Sequence, residues 1–161
     1  MTTPPNLATI TARHTELAPH IVRTPTVCCH AKRLLQASGA SSLVFKFEQL
    51  QHTGTFKARG ALSVLSTIAP DKRASGITAV SAGNHAIAAA WAARRAGLSA
   101  SVVMQSNANP FRVALAEAEG ARVILAEPGP PAFAEAERLE REEGRTFVHP
   151  FEGVHTTLGA A

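Results

Sequence analysis

The sequence contains no tyrosine, a single tryptophan and only four lysines. Nucleic-acid surfaces usually interleave basic residues with aromatics on which bases can stack. Here the basic residues come as scattered pairs, Lys32-Arg33, Lys72-Arg73 and Arg94-Arg95. The net charge of +4 then reflects a general excess of arginine, and no nucleic-acid partner is expected. Cysteine is equally scarce. Cys28 and Cys29 are adjacent, too close for ordinary disulfide geometry, and no Cys-x-x-Cys spacing suggests zinc. Two buried free thiols in a reducing compartment are expected. No spacing among the seven histidines matches a metal site, so no metal is expected. Long apolar runs are missing as well. The longest, Ala86 to Ala93, is far short of the ~20 residues a membrane span needs. The opening MTTPPNLATI has no basic region followed by an apolar one, so no secretory leader is expected and the cytoplasm is the default location.

What remains is a globular composition. Apolar residues make up 45% and charged residues 17% of 161, enough for one domain with a real core or two small lobes. Residues 1–20 read as a lead-in helix stopped by Pro19, and 30–38 as a short helix stopped by Gly39. The alternating, β-forming 42–47 reads as a strand. A polar stretch with glycines follows, then an apolar helical pattern up to Pro70. From about residue 75 the rhythm is regular. GITAVS, SASVVMQS, ARVILAE and RTFVHP read as strands. Between them lie helices over 84–96, 109–119 and 131–143, with Gly97 as a C-cap and Asn109-Pro110 as a helix start. This alternation predicts an α/β lobe over 75–150 with a four-stranded parallel sheet and flanking helices. The segment before it is expected to make little core of its own. The Arg/Glu-rich 135–145 reads as a solvated helix face with i,i+4 pairs.

Two motifs carry chemistry. The first is Gln51-His52-Thr53-Gly54-Thr55-Phe56-Lys57-Ala58-Arg59-Gly60. Its hydroxyls and amides near a helix start suit an anion. Lys57 falls in the first helical turn, where a cation opposes the helix dipole. That field, with burial against Phe56, lowers a lysine pKa and favours the neutral amine of Schiff-base chemistry. Taken alone, the pattern favours an ordinary solvated lysine after a polar loop. The second motif is Ser81-Ala82-Gly83-Asn84-His85-Ala86, at the carboxyl end of a strand, where open α/β sheets bind ligands. Taken alone, it fits a tight β-α turn with Asn84 as N-cap as well as a ligand loop. His149 and His155 read as structural.

Together the motifs resemble the fold-type-II pyridoxal-phosphate enzymes, the tryptophan-synthase-β-like fold, and within them the serine/threonine dehydratase and serine racemase group. The resemblance rests on Phe47-Glu48-Gln49-Leu50-Gln51, TGTFKARGA and SAGNHA, with Arg23-Thr24-Pro25 and HPFEG at 149–153 in support. It implies pyridoxal 5'-phosphate as cofactor, held covalently by Lys57, with Phe56 against its ring and Asn84 on its phenolic oxygen. It also implies a substrate-carboxylate site formed by Ser81, Ala82, Gly83, Asn84 and His85, with Thr53 nearby. Thr55 stands where the family usually has serine, and the hydroxyl is kept. The reaction implied is dehydration and deamination of L-threonine or L-serine to a 2-oxo acid and ammonia, in a homodimer acting on a small amino acid. Serine racemases carry a serine at the position of Ala82 as a second base, so dehydration is favoured over racemisation.

The resemblance also divides the chain. Residues 1–74 would be the start of a large domain that carries Lys57. Residues 75–150 would be the small α/β domain, and 151–161 the start of the return to the large one. Family chains run to about twice this length, and the glycine-rich phosphate loop is not found here. A truncated chain with at most weak cofactor binding is therefore expected. The competing expectation is a non-catalytic Rossmann-like ligand-binding module, against which stands the lack of GxGxxG after any strand.

Overall fold

The computed structural model describes residues 4–161. The expected lead-in helix forms as α1 over Leu7–Leu17, and the part of that expectation on residues 1–3 lies outside the described residues. Asn6 starts it with a capping box: its side chain accepts from Thr9 N while Thr9 Oγ1 accepts from Asn6 N. A strand not foreseen, β1 at Thr26–Cys28, follows. It pairs antiparallel with β2 at Val44–Lys46, the core of the expected 42–47 strand. Between them α2 runs over Lys32–Ser38 and ends on Gly39 at φ 65, a left-handed conformation that favours glycine. Among the described residues nothing covers this ribbon, whose strands are exposed along their length. Val27, Val44 and Phe45 are exposed, and so is Cys28. That corrects the expectation of two buried thiols: a two-stranded sheet without a covering layer has no interior.

The regular part of the chain forms as the periodicity predicts. The elements are β3 (Ile77–Val80), α4 (Asn84–Ala96), β4 (Ala100–Gln105), α5 (Pro110–Ala118), β5 (Arg122–Ala126), α6 (Pro130–Glu143) and β6 (Thr146–Val148). They make one parallel sheet with strand order β5-β4-β3-β6. Side chains alternate across it. Ile77, Ala79, Val102 and Met104 join the core with α4 and α5, while Val80 and Val103 face α6 through Ala132, Ala136 and Leu139. The charged face of α6 carries the expected i,i+4 pair, Arg138 with Glu142, and an i,i+3 pair of Arg138 with Glu135.

Before residue 75 the structure departs from the expectation of little core. Helix α3 (Lys57–Leu65) is among the most buried elements, with Ala58, Ala61, Leu62 and Leu65 in the same apolar cluster as α4. The reason lies in small residues. Ala88, Ala89, Ala90, Ala92 and Ala93 of α4 are 0–1% exposed, so α3 on one side and the sheet on the other approach closely. The closing helix α7 (Val154–Ala160) packs against α3 in the same way. A Cβ on Gly159 would collide with the Ser63 Cβ, so only glycine allows this contact.

Candidate active site

The strand order creates the crevice in which the site lies. From β3 the chain passes to β4 on one side, and β6 later arrives on the other. The carboxyl ends of β3 and β6 therefore flank a switch point, where open α/β sheets bind ligands. The β3–α4 turn, Ser81 to Gly83, and the segment after β6, His149 to Gly153, both emerge there. Helix α3 brings Lys57 to the same place. Lys57 Nζ donates to Pro150 O at 2.6 Å, and His85 Nε2 donates to Val148 O at 2.8 Å. Two carbonyls two residues apart thus gather both motifs.

Lys57 opens α3, with Phe56 at its N-cap. Its ammonium lies 5.2 Å from the Phe56 ring and 4.7 Å from the Phe151 ring. Burial holds its pKa below the ordinary lysine value, which raises the fraction of reactive neutral amine. A cleft of about 360 Å³ opens beside it, lined by Phe56, Pro150, Phe151, Thr156 and Thr157. Thr53, four residues upstream, is the one non-glycine residue at positive φ among the described residues, at 60°. Its buried Oγ1 has no hydrogen-bond partner. Such strain and such an orphaned hydroxyl are costly to a fold, and they accumulate at functional sites.

The loop on the other side divides its side chains. Asn84 is the first residue of α4, but its side chain does not cap the helix, and Gly83 occupies the N-cap position. The simple N-cap alternative for Asn84 is thereby overturned. Its amide is exposed, and its Oδ1 accepts from Arg112 Nη1. Ser81 Oγ accepts from Gly83 N at 3.1 Å and shapes the turn. Ala82 and Gly83 are half-buried. His85 points inward and is 4% exposed, so toward a ligand it offers its backbone amide.

His85 also sets a pH dependence. Burial, with Lys57 and His149 nearby, pushes its pKa from 6.5 down to about 4, against the hydrogen bond to Val148 O. Between those values the unfolded chain binds more protons than the fold. Stability is thus full above pH 6.5 and falls as the pH drops toward 4. The loss approaches about 3 kcal/mol. In urea titrations the wild type should lose about 3 kcal/mol more than His85→Gln on that descent, because glutamine keeps a donor and does not titrate. Equal losses would exclude His85 as the titrating group.

Several contributors escaped the sequence analysis. His149, read as structural, holds the segment after β6, its Nδ1 accepting from Phe151 N at 3.2 Å and Glu152 N at 2.9 Å. Phe151 and Pro150 could have been suspected only from HPFEG itself. Beneath the Lys57 loop, Glu48 takes both Arg59 Nε and Nη2 at 2.8 Å and the Thr24 hydroxyl at 2.5 Å. Gln51 reaches Val22 with both ends of its amide, at 2.9 and 2.8 Å. Glu48, Gln51, Arg59 and Thr24 thus form a polar clamp. Arg112 gave no sequence signal beyond its place near a helix start.

An amine of lowered pKa at a sheet switch point suits an aldehyde cofactor. The family model for "Pyridoxal-phosphate dependent enzyme" matches residues 17–161. The chain belongs to this family. It is 48% identical over 160 residues to a phenylserine dehydratase of Ralstonia pickettii, covering 99% of this chain and 48% of that protein. Among solved structures, a threonine deaminase from T.th. shares 36% identity at a TM-score of 0.79, covering 96% of this chain and 48% of that one. Maize serine racemase shares 27% identity at a TM-score of 0.87, covering 98% and 47%. The chain spans about half the length of the curated relatives it matches. As a fold-type-II family member it uses pyridoxal phosphate, and the residues present fit that group. Lys57 would supply the amine, Thr53 a spare buried hydroxyl, and the first turn of α4 amides without intrahelical acceptors. Among the described residues no helix is long and apolar enough to cross a membrane.

Proposed function

We propose that the protein eliminates water from a 3-hydroxy amino acid and releases a 2-oxo acid and ammonia, as a cytoplasmic homodimer. The observation that carries this reading is Lys57, its pKa lowered by burial, at the crevice shared by the β3–α4 loop and the segment after β6. Lys57 would hold pyridoxal phosphate, Phe56 would lie against its ring, and Asn84 would donate to its phenolic oxygen. When bound, the cofactor supplies an electron-poor ring that stabilises negative charge at the substrate α-carbon. Lys57 Nζ takes the α-proton, and its lowered pKa keeps a neutral fraction ready for that transfer. The Ser81 to His85 loop, through the amides of Ala82, Asn84 and His85, and the Thr53 hydroxyl bind the substrate carboxylate; the Ser81 and Gly83 amides are taken by Val103 O and Ser81 Oγ. The rings of Phe56 and Phe151 flank the amine. The β-hydroxyl leaves with a proton as water, and hydrolysis of the product returns that water and frees ammonia. Residues 1–74 and 151–161 would belong to the large domain and 75–150 to the small one.

L-threonine and L-serine are the first substrates proposed. The 48% identity to a phenylserine dehydratase favours a second, 3-phenylserine. Ala82 in the β3–α4 turn has no proton to exchange, so no second base acts from that position and racemisation is not expected. Incubation with each of the three amino acids should yield 2-oxo acid and ammonia in equal amounts, with no D-isomer. D-serine forming as fast as pyruvate would overturn the assignment. Ala82→Ser should introduce detectable D-serine.

A further inference from the structure

Arg112 is the third residue of α5, in the first turn, where a cation opposes the helix dipole. The guanidinium also faces the first residue of α4, a second positive helix end. Helix stability therefore gives no reason for an arginine here. Its contacts do. Nη1 donates to Asn84 Oδ1, and it lies so close to Gly83 that a Cβ there would stand 2.9 Å from it. The carboxamide of Asn84 could face either way, because the helix cap does not use it. An arginine has donors only, so it meets the amide oxygen and excludes the opposite rotamer, which would set donor against donor.

We propose that Arg112 is a positioning residue that locks the Asn84 amide with its NH2 group turned toward the cofactor oxygen. The inference rests on the reading of Asn84 as a cofactor ligand. The lock has two effects. It presents a donor, so the group bound there is a hydrogen-bond acceptor. It also polarises the amide through a charge-assisted bond, which strengthens the outward N–H donors. Both effects come from α5, an element that supplies no residue to the cleft itself.

The test uses the 161-residue chain, labelled with nitrogen-15. The Asn84 side-chain NH2 signals are assigned by their loss in Asn84→Ala. Without cofactor, Arg112→Ala should move these signals and speed their exchange with water, while Arg112→Lys should largely restore them. Gly83→Ala should mimic Arg112→Ala, because a methyl group displaces the guanidinium without removing it from the sequence. Titration with pyridoxal phosphate should then show roughly tenfold weaker binding for Arg112→Ala, the size of one charge-assisted hydrogen bond. In an Asn84→Ala background the same substitution should change nothing further. Unchanged Asn84 signals in Arg112→Ala, or losses that multiply in the double variant, would overturn the proposal. Failure of the cofactor reading would look different. The wild type would then show no binding that depends on Lys57, while the Asn84 signals still answered to Arg112. That result would remove the destination of the amide and leave the lock standing.

Discussion

Lys57→Ala should abolish covalent cofactor attachment and lower 2-oxo acid formation by roughly 10³-fold, the range lost with a positioned acid–base group. The other lysines are placed differently: Lys46 Nζ is bonded to Thr24 O, and Lys32 and Lys72 lie on α2 and in the 70–75 turn. Reduction with borohydride in the presence of pyridoxal phosphate should therefore add one cofactor mass to the wild type and none to Lys57→Ala. Mass spectrometry of the tryptic peptides reads this directly. Labelling of any other lysine at comparable yield would sink the assignment. Lys57→Arg is the sharper variant. It keeps the charge toward Pro150 O but cannot present a neutral amine, because guanidinium stays protonated. It should fold like the wild type and fail in both assays.

The second large effect is structural. Glu48→Ala should destabilise the fold by about 3–5 kcal/mol, the cost of leaving a buried charge without its partner. The Arg59 side chain is 7% exposed, and Glu48 meets it through both oxygens. Burial by itself would raise the Glu48 pKa. The hydrogen bonds from Arg59 and Thr24 outweigh it and hold the carboxyl below its ordinary value. Removal of the carboxylate leaves Arg59 with only Val22 O, at 3.2 Å. A typical domain has about 5–15 kcal/mol in all, so the variant should show a sharply lower urea midpoint. Glu48→Gln keeps one acceptor and should lose less. A shift below about 1 kcal/mol for Glu48→Ala would show the pair to be solvated and worth little, as exposed pairs are. Because the clamp lies under the loop that leads to Lys57, the variant should also hold pyridoxal phosphate less well.

These two residues show what could be read in advance and what could not. The place of Lys57 at a helix start was legible because its surroundings are local. A strand, a polar loop with hydroxyls and a helix start lie within a dozen residues, and the second motif follows at a readable distance. Glu48 and Arg59 belong to the same run of motifs, yet nothing local says that their side chains close on each other and on residues 22–24. A side-chain pair across a fold leaves no periodic trace. The same holds for His85. Its place at a helix start suggested a ligand-facing loop, but the bond to Val148 O spans 63 residues and turns the ring inward. Strand β1 was missed for a related reason. Three residues without a covering layer carry no alternation strong enough to stand out.

Turn residues and hydrophobic periodicity alone were enough for the four-stranded parallel lobe, its helix boundaries near Gly97 and Pro110, and the place of Lys57 at the head of a helix. These features depend on the period of side chains along one element, which the order of residues contains. The order of strands, the meeting of Lys57 and His85 on the segment after β6, the clamp around Arg59 and the hold of Arg112 on Asn84 were decided only by tertiary structure. Each is a contact between residues far apart in the chain. Its geometry follows from how small residues let the helices pack, here the alanines of α4 and Gly159 of α7.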